Sequence, residues 1–324
     1  MNGIGTAFQY KKPHMQSLWM LFASFVFAIM GVCVKLASSL YSTAEIVMYR
    51  GIVGVVFMSL FIKHQGGTLR TPLPWHHLWR GVIGVTALWL WFYAIGILPL
   101  ASAMTLNYMS PIWIAAMLFA AGLWRGQTRF EWGVVAAIAT SFVGVTMLLQ
   151  PSIHADQWFG GIIALTSGML AALAYLEVRH LGQLGEPEYR VVFYFSVTGL
   201  VAGLLGTLAT PHLVTNAGPL WHAHSATGLA LLLAIGLSAT AAQMAMTRAY
   251  RLGKMLVTAN LQYTGIVFSS GWGILVFGDR LNWVGWLGIL VILASGMVAT
   301  FFNTRNAPPP SKAVPLADPI ATEI

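Results

Sequence analysis

The chain is a succession of hydrophobic stretches, each about 20 residues long and almost free of charged side chains. A helix needs about 20 apolar residues to cross the hydrocarbon core of a bilayer. Charged residues make up 8% of the sequence, whereas a soluble globular protein has roughly a quarter. The stretches also lack the alternation of period two that marks a transmembrane β-barrel. The sequence therefore predicts an all-α polytopic membrane protein.

We expect ten transmembrane helices joined by short loops. A polar lead, residues 1–16, precedes the first helix, and the tail, residues 303–324, carries five prolines, a composition typical of disorder. The predicted spans are residues 17–37, 44–62, 78–98, 101–123, 131–150, 159–179, 190–209, 226–247, 254–276 and 283–302.

The distribution of basic residues predicts the orientation. Cytoplasmic loops of membrane proteins carry an excess of lysine and arginine. If the N-terminus is cytoplasmic and the spans alternate, 14 of the 17 lysines and arginines lie at the inner side. We therefore expect a multi-pass protein of a bacterial-type inner membrane with both termini, the lead and the tail, in the cytoplasm.

An internal repeat divides the chain. Residues 94–133 align without a gap on residues 249–288, at an offset of 155. A Leu-amide-Tyr triplet occurs in both copies, with Asn107-Tyr108 in the first and Gln262-Tyr263 in the second. Each half, 17–150 and 159–302, would hold five spans, and because five is odd the second half enters from the opposite side. This predicts two inverted repeats, which are typical of transporters.

Several classes of function are disfavoured. The net charge of +8 comes from basic residues scattered over short loops, so no nucleic-acid partner is expected. Cys33 is the only cysteine, and His222 and His224 with His212 are weak metal ligands on a loop, so we expect no disulfide, metal or cofactor. No phosphate-binding loop and no reactive cluster within the spans point to catalysis. A membrane enzyme is a remote alternative, with no catalytic residue to name.

Amides and tyrosines inside the spans are the first candidates for a binding site. A primary amide in hydrocarbon is costly unless it finds a partner. These groups either face a water-filled path and bind a polar substrate, or form hydrogen bonds between helices. The candidates are Asn107, Tyr108, Gln243, Asn260, Gln262 and Tyr263.

Three further residues suggest how a transporter could work. Arg50 lies inside the second span and would bind a substrate carboxylate or form an outer gate, or else extend to the interface or pair with Glu45. Pro111 could kink the fourth span, as a moving or a fixed kink. Glu177 could bind a coupling proton, or pair with Arg179 or a loop base.

Aromatic residues cluster in the third span. Trp89 and Tyr93 are four residues apart, so they share a helix face. They either line the cavity and stack on a flat substrate, or anchor the helix at the membrane interface.

The chain resembles the EamA-type transporters of the drug/metabolite transporter superfamily. The resemblance rests on the two five-span repeats, Arg50 in MYRG, Pro111 in the first copy, and Gly278-Asp279 in the second. The chain departs from the pattern at Trp124, where an acid is usual, and at Ile266, where a proline is usual. The resemblance implies ten helices around a central cavity lined by spans 1, 3, 4, 6, 8 and 9, and export of small metabolites, often amino acids, by alternating access.

The sequence thus predicts a secondary transporter that exports small metabolites such as amino acids through a cavity at the membrane midplane. The alternative is an importer of an aromatic vitamin-like or nucleobase-like compound on the same fold. The expected partners are a small-molecule substrate and the lipid bilayer, and the oligomeric state is open.

Overall fold

The computed structural model of the protein describes residues 16–98, 100–126, 132–150, 157–213, 221–278, 280 and 282–305. These residues form α-helices and connecting turns, and no strand occurs among them. The lead before Gln16, the tail after Arg305 and Asp279 lie outside the described residues. The helices are α1 Trp19–Ala37, α2 Thr43–His64, α3 Pro74–Ile97, α4 Leu100–Asn107, α5 Ser110–Trp124, α6 Trp132–Leu149, α7 Trp158–Gln183, α8 Glu188–Leu213, α9 Ala226–Leu252, α10 Met255–Gln262, α11 Thr264–Phe277 and α12 Trp283–Arg305.

Within the described residues, seven helical segments are long and apolar enough to cross a membrane. They correspond to α1, α2, α3, most of α4 with α5, α7, α8 and α9. Two shorter apolar helices, Val135–Leu148 and Trp283–Val298, lie within α6 and α12. The prediction of an all-helical polytopic membrane protein is confirmed. The helix α12 continues through Asn303 to Arg305, and the rest of the tail predicted to be disordered lies outside the described residues.

Two predicted spans are broken in the structure. The span predicted at 101–123 is interrupted by a turn at Tyr108 and Met109, which separates α4 from α5. The span predicted at 254–276 is interrupted at Tyr263, which separates α10 from α11. The segment Ala103–Trp124 still forms one candidate membrane span, and near Pro111, where a kink was considered, i to i−3 hydrogen bonds from Met109 and Ile112 accompany the α-helical ones. The interruption at Tyr263 was not predicted, and there the N–H groups of Tyr263 and Ile266 donate to carbonyl oxygens three residues earlier.

Side-chain caps fix where two of the long helices begin. Ser42 accepts a hydrogen bond from the Glu45 backbone N–H, and the Glu45 carboxylate accepts one from the Ser42 backbone N–H. This capping box satisfies donors that a helix N-terminus leaves free. Ser225 caps α9 in a similar way through the N–H of Gly228.

The helices pack in reciprocal pairs. The main contacts join α1 to α9, α3 to α7, α2 to α8, and α6 to α12. Glycines allow the backbones to approach closely, as small residues do between membrane helices. A Cβ added at Gly51 or Gly203 would collide with the backbone of Leu200 or Met48 respectively. Gly144 and Gly288 face each other in the same way between α6 and α12.

Candidate functional site

A cavity lies at the centre of the bundle, beside the broken end of each discontinuous helix. Its volume is about 70 Å³, which is enough for several water molecules. Its walls come from α1, α3, α4, α7, α9, α10 and Phe195 of α8. The lining residues are Met20, Ser24, Phe27, Met30, Arg80, Gly84, Ala87, Leu88, Trp91, Asn107, Tyr108, Ala171, Ala174, Tyr175, Phe195, Gln243, Met246 and Gln262.

The cavity is displaced toward one end of the bundle. Along α1 the lining runs from Met20, near the start of the helix, to Met30, just past its middle, whereas along α3 it is centred on the helix. Along α7 and α9 it lies in the second half of each helix, near Tyr175 and Met246. On α1, α7 and α9 the lining therefore lies nearer the end of the bundle at which α1 begins.

Asn107 is the last residue of α4 and lines the cavity. Its Nδ2 donates a hydrogen bond to Ser167 Oγ at 2.7 Å, and Ser167 Oγ donates to the Ala87 carbonyl oxygen at 2.8 Å. Asn107 therefore links three helices through its NH₂ group. The Asn107 side chain therefore both lines the cavity and links helices, which were the two alternatives predicted for this amide.

Gln262 is the last residue of α10 and also lines the cavity. Its Oε1 accepts a hydrogen bond from the Tyr250 hydroxyl at 3.1 Å, and its Nε2 donates to Ser110 Oγ at 3.3 Å. Tyr250 also stacks on Tyr175, with ring centroids 5.1 Å apart. Gln262 thus connects the two broken helices, because Ser110 begins α5.

The other predicted amides and tyrosines divide into two groups. Gln243 and Tyr108 line the cavity together with Asn107 and Gln262. Asn260 does not line it, and its Oδ1 accepts a hydrogen bond from Ser141 Oγ at 2.9 Å. Tyr263 is fully buried outside the lining, and its hydroxyl has no hydrogen-bond partner among the described residues.

Pro111 occupies the first turn of α5. A proline is well tolerated there because its missing N–H would find no partner within the helix. Pro111 therefore starts the second half of the broken helix, and the turn at Tyr108 and Met109 precedes it. In the second broken helix Thr264 Oγ1 donates to the Leu261 carbonyl oxygen at 2.7 Å.

The aromatic wall of the cavity differs from the predicted one. Trp91 lines the cavity, whereas Trp89 and Tyr93 are not among the lining residues. Trp89 packs against α8 so closely that a Cβ added at Gly206 would collide with its ring. Tyr93 is 41% exposed, on the outer surface of the bundle. Helix packing turns the face that carries Trp91 toward the cavity.

Two arginines lie buried at the cavity. Arg50 and Arg80 are 3% and 2% exposed, and their Cζ atoms lie 5.0 and 4.1 Å from the centre of the Phe195 ring. Arg80 lines the cavity and Arg50 lies behind it. Arg50 neither extends to the interface nor pairs with Glu45. Sequence reasoning missed Arg80 because it began the third span at residue 78, whereas α3 begins at Pro74.

Glu177 lies near the end of α7 and does not line the cavity. Its Oε1 lies 2.7 Å from His76 Nδ1. The predicted partner Arg179 instead donates to the Gly253 carbonyl oxygen at 3.1 Å. Glu177 thus contacts His76 at the start of α3. Pairing with a base was the predicted alternative to binding a coupling proton.

A carboxylate holds a loop at each end of the bundle. At one end Glu45 accepts hydrogen bonds from the backbone N–H of His222 at 2.9 Å and contacts its Nδ1 at 2.6 Å. At the other end Glu186 accepts from Thr71 Oγ1 at 2.7 Å and from Arg190. Burial raises the pKa of Glu186, but these hydrogen bonds outweigh it and hold the pKa below its usual value.

The histidines of residues 221–225 are part of the first of these contacts. His224 Nε2 lies 2.9 Å from the Tyr49 hydroxyl, and its Nδ1 lies 3.1 Å from the Tyr41 hydroxyl. The described residues contain no cluster of three or more His, Cys, Asp or Glu side chains that could hold a metal ion. His222 and His224 therefore close one end of the bundle through hydrogen bonds.

The fold and the cavity are those of a membrane transporter, and comparisons with known proteins identify the family. The model of the EamA-like transporter family matches residues 14–150. A pseudopaline exporter of Pseudomonas aeruginosa is 33% identical over 279 residues, which cover 84% of this chain and 91% of that protein. The chain belongs to the EamA-like transporter family, within the drug/metabolite transporter superfamily, and is a transporter and not an enzyme.

Other relatives have different names. A riboflavin transporter of Rhizobium johnstonii is 26% identical over 94% of this chain and 96% of its own length. An S-adenosylmethionine uptake transporter of Rickettsia conorii is 22% identical over 69% of this chain and 71% of its own length. A solved crystal structure matches 89% of this chain and 99% of its own chain, with a TM-score of 0.72 at 17% identity, which shows the shared fold.

Proposed function

We propose that the protein is a secondary transporter that exports small polar metabolites, such as amino acids, across a bacterial-type inner membrane. The observation that carries this proposal is the central cavity, which is lined by three amides, an arginine and aromatic rings, and at which Asn107 and Gln262 end two interrupted helices. Broken helices at membrane depth are tolerated where they line a cavity, and they commonly form transporter binding sites. Asn107, Gln243, Gln262 and Tyr108 would contact the substrate.

Two inverted five-span repeats, 17–150 and 159–302, are part of the proposal. A two-fold axis that exchanges the halves turns a contact between spans 1 and 8 into a contact between spans 6 and 3. Both contacts are present, the first as α1 with α9 and the second as α3 with α7. Spans 2 and 7 are exchanged by the same relation, and the contact between α2 and α8 is compatible with it because the relation maps this contact onto itself. The two breaks at Tyr108 and Tyr263 also fall at equivalent repeat positions.

The mechanism that we propose is alternating access. We place both termini in the cytoplasm, so the end where α1 and α3 begin is the inner end. The cavity lies nearer this end, and the Glu45–His222 contact closes the outer end. Export would require this outer contact to open while the Glu186 contacts at the inner end tighten. Glu177 with His76 would be the candidate pair for proton coupling.

The experiment that tests export uses the purified full-length protein in liposomes loaded with the twenty amino acids. We expect selected amino acids to leave these vesicles faster than they leave vesicles without protein. Amino acids that are retained equally in both would contradict the proposal.

Import of a flat aromatic compound is the second candidate. It is favoured by the aromatic part of the cavity wall, Phe27, Trp91, Tyr175 and Phe195, and by a relative named as a riboflavin transporter. Uptake of riboflavin or a nucleobase into the same liposomes, without amino-acid efflux, would favour this function over export.

A further inference from the structure

The guanidinium groups of Arg50 and Arg80 have no acidic salt-bridge partner in the part of the chain that the structure describes. Neither arginine forms a salt bridge with a carboxylate of the described residues. The Nε atoms of both, and Nη1 of Arg80, are buried without a hydrogen-bond partner in the same part of the chain. Glu177, a carboxylate on the helix facing α3, is engaged by His76. Arginine donors that are buried and unpaired are costly, and inside a membrane they mark functional sites.

The ring of Phe195 lies against both guanidinium groups. A cation over an aromatic face gains some stabilisation, but a ring accepts no in-plane hydrogen bond. The ring therefore leaves the N–H donors of Arg80 free to bind another group. Because Arg80 lines the cavity, that group would come from a molecule within the cavity.

We propose that Arg80, with Arg50 as a second positive charge behind it, forms a subsite of the cavity that binds a carboxylate group of the transported substrate. A guanidinium group presents paired N–H donors that match the two oxygens of a carboxylate. Arg80 carries such a group at the cavity wall, and a bound carboxylate would offset a positive charge for which the described residues supply no salt bridge.

The rest of the lining fits an organic acid. Met20, Met30 and Leu88 offer apolar contacts, and the amides of Gln243 and Gln262 offer hydrogen bonds away from the arginine. Ligand sites combine a mostly apolar wall with a few placed polar groups in this way. The substrate class is therefore a small carboxylic acid with a body that is partly apolar and partly polar. This inference rests on the proposed function, because it assumes that the cavity is the substrate path.

The test measures binding of sodium malonate to the purified full-length protein in detergent. Malonate is the probe because it is small and carries two carboxylates, and malonamide and sodium chloride at matched ionic strength are the neutral and ionic controls. We expect malonate to raise the Tm by at least about 2 °C, since a ligand that binds the folded state stabilises it. Neither control should do so.

Matched variants locate the effect. Arg80→Gln should abolish the malonate-induced rise in Tm, Arg80→Lys should retain part of it, and Arg50→Gln should reduce it. Arg125→Gln makes the same change at an exposed arginine and should leave the rise intact. The Tm of Arg80→Gln without ligand should be equal to or above that of the unaltered protein, because the substitution removes an unpaired buried charge.

A second readout does not depend on any variant folding. Phenylglyoxal modifies guanidinium groups, and mass spectrometry of the unaltered protein gives its rate at Arg80. Malonate should slow this reaction, and malonamide should not.

The inference is overturned if malonate leaves the Tm unchanged, if Arg80→Gln keeps the full rise, or if malonate does not protect Arg80. Efflux of neutral metabolites without malonate binding would refute the carboxylate subsite and leave the proposed transport intact. Malonate binding that depends on Arg80, in a protein that moves no metabolite, would refute the proposed transport and leave the subsite intact.

Discussion

Two spans are interrupted by short turns, one at Tyr108 and Met109 between α4 and α5 and one at Tyr263 between α10 and α11. In the first, the N–H of Ile112 donates to the Met109 carbonyl oxygen at 2.9 Å. In the second, the N–H of Ile266 donates to the Tyr263 carbonyl oxygen at 3.0 Å. The two bonds are one residue out of register between the repeats, because Pro111, which has no N–H to donate, stands in the first where Ile266 stands in the second.

This difference indicates that local contacts maintain each interruption of the helix, and that a proline is not required. In the first turn the carbonyl oxygens of Leu106 and Asn107 lie close to Gly168 of α7, and only a glycine leaves room for them. In the second, the hydroxyl of Thr264 bonds the Leu261 carbonyl oxygen within the turn. Each broken helix ends in an amide that reaches the cavity, Asn107 in one and Gln262 in the other.

The largest effect is expected at the contact that supports the first break. A Cβ added at Gly168 would lie 2.8 and 2.9 Å from the carbonyl oxygens of Asn107 and Leu106. Gly168→Ala should therefore lower the free energy of unfolding by about 1–3 kcal/mol and reduce transport, as measured by denaturation in detergent and by liposome efflux. Gly31→Ala is the control, because nothing lies within 4 Å of its added Cβ. Equal effects of the two substitutions would contradict the account.

The two cavity amides should differ in their effect on stability. Gln262→Leu removes the acceptor for the fully buried Tyr250 hydroxyl, which should cost about 1–2 kcal/mol. Asn107→Leu should cost less, because Ser167 keeps its hydrogen bond to Ala87. Adding Tyr250→Phe to Gln262→Leu should recover much of the loss in denaturation experiments. No recovery would show that the hydroxyl is not the source of the cost.

The smallest effect is expected at the proline. Pro111→Ala should change the unfolding free energy by no more than about 1 kcal/mol, because the proline occupies a first-turn position and acts chiefly on the unfolded chain. Transport should remain within about twofold of the unaltered protein. A tenfold loss of efflux, with the Tm unchanged, would instead assign Pro111 a moving role in the transport cycle.

The sequence predicted the membrane helices well, because hydrophobic length dominates that signal. It named Pro111 as a kink in the fourth span, but it did not predict the interruption at Tyr263, since a hydropathy pattern is the same for one long helix and for two short ones. It identified Asn107 and Gln262 through the repeated triplet. It could not separate Gln262 from Tyr263, since which side of a turn faces the cavity depends on the packing of neighbouring helices.

Two other site residues show the same limit. Arg80 was counted only as one of the basic residues at the inner side, because its span was begun four residues too late, and the structure places it on the cavity wall. Trp91 lines the cavity where Trp89 and Tyr93 were expected. When a helix carries aromatic residues on several faces, their spacing shows which residues share a face. Which face lines the cavity depends on the neighbouring helices.

The central claim is that the cavity is a path open to one side of the membrane. We would place a single cysteine at Gln243, which lines the cavity, in a Cys33→Ala background, and label it with a charged thiol reagent from each side of membrane vesicles. Ala239→Cys, one helical turn away and buried outside the lining, is the control. The account predicts labelling at position 243 from the cytoplasmic side alone and none at 239. Labelling of 243 from neither side, or only from the outer side, would contradict it.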